Sequence, residues 1–229
     1  KRLQTDHIDL YQIHWPDGNV AAFGSWQFDS GKERDTVPIL EQVDAMHTLI
    51  KDGKIGGYGL SNESAWGTTM FCRAAEQLGA PKPAAVQNPY CLLNRLFEGD
   101  LAEVSYREQV PLLAYSPLGM GVLTGKYLKG AMPKGSRFQG YADFGVRYRR
   151  PLAMIAAEEY AVLAKKYGVS LLELSLSFVI NKWFVGSAII GATSVQQLQQ
   201  IYNAHQVRID PEAFKEIEAI SARYLHPAA

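Results

Sequence analysis

Short apolar runs closed by one or two polar residues recur along the chain, with amphipathic stretches between them. They are Ile8 to His14 (IDLYQIH), Gly57 to Ser61 (GYGLS), Ala85 to Gln87 (AVQ), Leu112 to Ser116 (LLAYS) and Ser187 to Ile190 (SAII). Nearly continuous apolar runs of this length predict parallel strands covered on both faces, and therefore buried. The stretches between them have helical periodicity. Leu152, Ile155, Ala156, Leu163, Ala164 and Tyr167 share one predicted helical face, with Gly168 following as the terminating residue. Ser170 and Glu173 form an S-x-x-E capping box ahead of Leu174, Phe178 and Val179. Asp210-Pro211 starts the last predicted helix, whose buried face is Phe214, Ile217 and Ile220, and Gly53 and Gly79 close helices that begin near Thr36 and Ser64.

Strand and helix in alternation imply right-handed βαβ units around a parallel sheet, either doubly wound or closed as a (β/α)8 TIM barrel. A dinucleotide-binding doubly wound sheet opens with GxGxxG after a strand, and no such motif occurs. Polar residues collect instead past every strand end: His14, Ser61-Asn62, Gln87-Asn88, Tyr115-Ser116 and Gly191-Ala192-Thr193. A barrel builds one site from its strand ends in this way, so the expectation is an α/β barrel as a single domain over residues 1–229. The two long irregular connections, 17–36 and 119–151, are of the kind that serves a site; Phe23, Trp26 and Phe28 in the first either wall an apolar pocket or pack the loop.

Charge and cysteine usage narrow the partners. With 23 Lys+Arg against 23 Asp+Glu the chain has no net charge and no basic run, which argues against nucleic acid or an anionic membrane surface and leaves small molecules. Cys72 and Cys91 lie in no CxxC or Cys/His cluster, so neither a disulfide framework nor a metal site is expected, and the compartment reads as reducing and cytoplasmic. The N-terminal KRLQTDHIDL has no hydrophobic signal core and no initiator methionine, and reads as the middle of a fold.

Among the strand-end residues only Asp17 and Glu63 bear carboxylates, in different loops, and only His14 is an imidazole. A paired-carboxylate glycosidase and a metal-dependent hydrolase are thereby disfavoured. One imidazole among amides and hydroxyls binds and polarises, but strong chemistry would fall to a bound cofactor. His14 is then either a structural loop residue or a donor to a substrate carbonyl. Tyr115 either caps the core or stacks on a flat heterocycle, while Asn62 and Gln87 either tie down loops or hold a carboxamide. The turn from Ile190 to Ser194 leads into a helix and suits phosphate, though Ser194 with Gln197 also reads as a plain S-x-x-Q capping box. Lys126 and Arg137 are solvated loop charges unless a pyrophosphate or 2′-phosphate engages them, and Arg147 to Pro151 reads as an exposed loop without function.

DLYQIHWPD, GLSNE, QNPYCLLNR, LLAYSPLGMGVLTGKY, PKGSR and IIGATSVQQL, in this order, resemble the aldo-keto reductases, closest to the Tas-type and potassium-channel β-subunit-like branch. The resemblance implies NADP(H) bound across a barrel mouth and reduction of aldehydes or ketones by hydride transfer. It makes His14 the carbonyl-orienting member of a His, Tyr, Lys and Asp tetrad. Ser61, Asn62 and Gln87 would hold the nicotinamide carboxamide and Tyr115 would stack on the ring. Ser116, Pro117, Leu118 and Gly119 would run along the pyrophosphate, with Lys126 and Arg137 reaching it or the 2′-phosphate, and Gly191, Thr193, Gln197 and Gln200 would lie at the adenosine end.

Two departures from the family pattern stand out. Gln200-Ile201 occupies the place of a common Glu-Asn, which implies weakened adenine contacts and leaves NADP against NAD open. The tetrad's Tyr, Lys and Asp have no counterpart, which implies a C-terminal portion carrying barrel strands 4 to 8 and inactive alone. The second reading implied by the same branch is a regulatory module that binds the nucleotide without chemistry.

Overall fold

The computed structural model describes residues 2–22 and 24–229. Its strands and helices alternate as β1 (Ile8–Ile13), α1 (Ile39–Lys51), β2 (Ile55–Ser61), α2 (Ala65–Leu78), β3 (Val86–Pro89), α3 (Asp100–Glu108) and β4 (Leu112–Tyr115). Then follow α4 (Arg137–Gly140), α5 (Pro151–Lys166), α6 (Leu171–Ile180), β5 (Val185–Ile189), α7 (Val195–Gln206) and α8 (Pro211–Arg223). The strands stand in the sheet in chain order, β1-β2-β3-β4-β5, and the β1–β2 and β2–β3 pairs are parallel. The chain is thus an α/β protein built on a parallel sheet, as the alternation predicts.

Two compact units are distinguished. The first comprises the described residues up to Ala22, together with Trp26–Asn88 and Phe97–Leu113. In it Leu10 pairs with Gly57, Gln12 with Gly59 and Ser61 with Gln87, so Gln12, Gly59, Ser61 and Gln87 share one face of the sheet. The opposite face buries Tyr58, Leu60 and Val86. Ser64 caps α2 by accepting from the Gly67 N–H at 3.0 Å, and Gly79 ends it in the left-handed conformation with φ +60°. Helix α1 starts at Ile39 rather than near Thr36, because Pro38 occupies its N-cap.

The second unit contains 24–25, Pro89–Leu96 and Ala114–Ala229. Its capping box forms as predicted: Ser170 Oγ accepts from the Glu173 N–H at 3.2 Å and Glu173 Oε2 accepts from the Ser170 N–H at 2.6 Å. Helix α8 buries Ala213, Ile217 and Ile220, with Phe214 half-buried. The face of α5 differs from the expected one. It buries Ala153, Ala156, Ala157, Tyr160, Leu163 and Ala164 and leaves Leu152 and Ile155 exposed. A stripe of alanines at i, i+3 and i+4 spacing permits close packing, which a reading by size of apolar side chain overlooks.

The expectation that every strand is buried is corrected at β1 and β5. Asp9 and Tyr11 of β1 are exposed, and β5 has no fully buried residue. These are the first and last strands of the sheet order, each with a strand neighbour on one side only. Of the aromatics in the 17–36 connection, Trp26 and Phe28 are exposed, and Phe23 lies outside the described residues. No described helix is long and apolar enough to cross a membrane.

Candidate active site

In the first unit the ends of β1, β2 and β3 bring His14, Ser61, Asn62 and Gln87 together through direct hydrogen bonds. Ser61 Oγ donates to the Gln87 carbonyl at 2.9 Å, and the Asn62 N–H donates to the same oxygen at 3.0 Å. Asn62 Nδ2 donates to the His14 carbonyl at 2.9 Å and to Ser61 Oγ at 3.2 Å. Asn62 holds φ +56°, a left-handed conformation that asparagine tolerates better than most residues and that turns its amide back over the strand ends. His14 is exposed, its ring is tilted 39° against Trp15, and the residue borders a groove lined by Tyr11, Ile13, Val37 and Met46.

Gln12, which sequence reasoning passed over, and Asn88 and Glu63, which it named only as strand-end residues, complete this cluster. Gln12, on the sheet face of Gly59, Ser61 and Gln87, accepts from Gln87 Nε2 at 2.5 Å. Asn88 and Glu63 clamp the ends of β2 and β3: the Glu63 N–H donates to Asn88 Oδ1 at 3.1 Å and Asn88 Nδ2 donates to the Glu63 carbonyl at 2.8 Å. The Glu63 carboxylate is itself buried, and accepts from the Ser64 N–H at 2.8 Å. Burial raises its pKa above the usual carboxylate value, partly offset by the Ser64 bonds. A polar residue inside an apolar strand was the available signal for Gln12.

In the second unit, the residues after β4 fold into a tight turn. Ser116 has φ +54°, and the Gly119 N–H donates to its carbonyl at 2.8 Å. Leu118 packs against Leu176, Ile201 and Ala204, which sets this turn beside α7. Lys126 folds back over the turn, since a Cβ at Gly121 would stand 3.0 Å from its Cε and 3.2 Å from its Nζ. Arg137 is the first residue of α4 and is exposed. Thr193, Gln197 and Gln200 are exposed with Gly191 around the start of α7. The S-x-x-Q reading there is half right: Ser194 Oγ takes the Gln197 N–H at 3.2 Å, but Gln197 Oε1 takes the Thr193 N–H and hydroxyl at 2.9 and 3.1 Å.

Ile201 is buried in the Leu118 cluster. One further expectation is corrected in this unit. Arg147 is not an exposed loop residue. It is half-buried, its guanidinium lies 5.0 Å from the Tyr148 ring centroid, and it donates to the hydroxyls of Tyr148 and Tyr115. Burial raises the Tyr115 pKa and the neighbouring Arg147 charge pulls it back.

The Aldo/keto reductase family model matches residues 1–222. The chain belongs to the aldo/keto reductase family. The match runs over nearly the whole chain, and the expectation of an inactive portion limited to barrel strands 4 to 8 is not borne out by it. The Escherichia coli protein Tas is 40% identical over 228 residues, covering 100% of this chain and 66% of Tas. A probable voltage-gated potassium channel subunit beta from Oryza sativa is 30% identical, covering 96% of this chain and 63% of that protein. The glycerol dehydrogenase structure from Gluconobacter oxydans superposes with a TM-score of 0.72 at 27% identity, over 98% of this chain and 62% of that one. The chain spans just under two thirds of the length of Tas.

The donor set fits the cofactor that the family resemblance implies. A primary carboxamide offers N–H donors and a carbonyl acceptor, and the Ser61, Asn62 and Gln87 side chains offer both complements within one bonded cluster. No group of His, Cys, Asp and Glu suited to a metal ion occurs among the described residues.

Proposed function

We propose that the protein reduces aldehydes or ketones with NADPH, His14 orienting the substrate carbonyl. The observation that carries this reading is the bonded cluster at the strand ends, where the Asn62 amide ties the His14 backbone to Ser61. A bound nicotinamide cofactor would supply the hydride. Ser61, Asn62 and Gln87 hold its carboxamide, and their mutual bonds pre-organise them for it. The exposed His14 imidazole donates a hydrogen bond to the substrate oxygen and stabilises the negative charge that develops there.

The same reading gives the second unit's residues the remaining contacts. Tyr115 covers one face of the ring and Arg147 holds the Tyr115 hydroxyl; Ser116, Pro117, Leu118, Gly119 and Lys126 line the pyrophosphate; Arg137, Gly191, Thr193, Gln197 and Gln200 serve the adenosine and its 2′-phosphate. The family's Tyr, Lys and Asp are not matched in these 229 residues, so the proposal assigns this chain the binding and carbonyl-orienting roles alone.

NADPH oxidation with a panel of small aldehydes, ketones and quinones tests the reading, alongside NADPH binding by fluorescence. His14→Ala lowers kcat/KM by about 100-fold, the scale of one lost charge-stabilising donor, while NADPH affinity is retained. Tight NADPH binding without turnover on any carbonyl would replace the reductase by a nucleotide-binding regulatory module, and absence of binding would refute both.

A further inference from the structure

Gln12 reaches Gln87 by crossing strand β2, and it crosses where β2 has no side chain. Gln12 is in register with Gly59, and a Cβ built on Gly59 would stand 3.4 Å from Gln12 Nε2 and 3.6 Å from its Cγ. The side chain therefore passes beside Gly59, with Oε1 accepting from Gln87 Nε2 at 2.5 Å. Gln12 Nε2 is left buried without an acceptor. A buried donor without a partner is costly, and turning both amides over would put the Gln12 oxygen in that buried place instead. That inversion would also turn the Gln87 oxygen inward, towards Gln12.

We infer that Gln12 is a positioning residue that fixes the Gln87 amide with its oxygen facing the ligand, so that the site reads the N–H of a primary carboxamide. The inference rests on the proposed cofactor reading and adds the group that decides which way its amide contact runs. An amide free to rotate would serve an N–H or a carbonyl equally. Ser61 cannot perform this sorting, because its hydroxyl is committed to the Gln87 backbone carbonyl and not to the side chain. Gly59 leaves the room Gln12 uses: a Cβ there would touch the Gln12 side chain and press at 3.0 Å on the Ala85 carbonyl oxygen.

The test compares displacement of NADPH by NADP+ and by its 3-acetylpyridine analogue, which has a methyl ketone in place of the carboxamide and so lacks the N–H donors. In the wild type NADP+ binds about fivefold tighter than the analogue, the worth of one hydrogen bond. Gln12→Glu still accepts from Gln87 Nε2 and retains the preference. Gln12→Met cannot accept, and the two ligands then bind within about twofold; Gln12→Ser, too short to reach Gln87, takes its place if the methionine variant does not fold. Retention of the wild-type ratio in Gln12→Met or Gln12→Ser, its loss in Gln12→Glu, or its absence in the wild type would overturn the inference. Each of those results presupposes that NADPH binds, whereas failure of the wild type to bind NADPH at all defeats the cofactor reading itself.

Discussion

Replacing Gly67 by alanine sets helix propensity against a buried carboxylate. Gly67 lies in the first turn of α2, where alanine favours the helix by about 1 kcal/mol. A Cβ there would stand 2.5 Å from Glu63 Cδ and 3.1 Å from Oε2, with Oε1 closer still. The carboxylate must swing away and give up its bonds from the Ser64 N–H and hydroxyl at 2.8 and 3.3 Å. Losing the stronger, charge-assisted bond costs about 1.5–3 kcal/mol. The net expectation for Gly67→Ala is a destabilisation of about 0.5–2 kcal/mol, by difference of those two effects. In a Glu63→Ala background the obstruction is gone, and the same substitution stabilises by up to about 1 kcal/mol. Urea unfolding of the wild type, both single variants and the double variant measures this. A stabilising effect of Gly67→Ala in the wild-type background, or a coupling energy near zero, would refute the reasoning. The consequence reaches the site, because the Glu63 backbone clamps Asn88 beside Gln87.

The Glu63 carboxyl also gives a pH dependence with a definite sign. Burial raises its pKa in the folded state, so the stability associated with its proton is complete below the ordinary carboxyl pKa and is lost as pH rises through the folded value. Glu63→Gln should therefore match the wild type in acid and exceed it increasingly towards neutral pH, as urea unfolding over about pH 4 to 8 would report; a constant difference contradicts the assignment. The cysteines offer a simpler check. Cys72 and Cys91 are fully buried and both thiols are pushed up to about 11. A thiol reagent at neutral pH should label neither in the native protein and both after unfolding, and rapid native labelling would place one of them at the surface.

The alternation of apolar runs and amphipathic segments was enough to locate all five strands and the helices α5, α6 and α8, because side-chain period and capping chemistry act over a few residues. The strand-end polar residues were legible for the same reason, and the motif order pointed to the family that the comparison bears out. Local sequence could not say which neighbours those residues would meet. Gln12 looked like one polar residue in an apolar strand until the register set it over Gly59 and against Gln87. Arg147 looked like a loop charge until the chain folded it onto the hydroxyls of Tyr148 and Tyr115. Composition and spacing determine which elements form and which chemistry the chain can carry. Which amide faces which, and which charge is withdrawn from water, depends on contacts between residues far apart in the chain, and only the tertiary structure decides them.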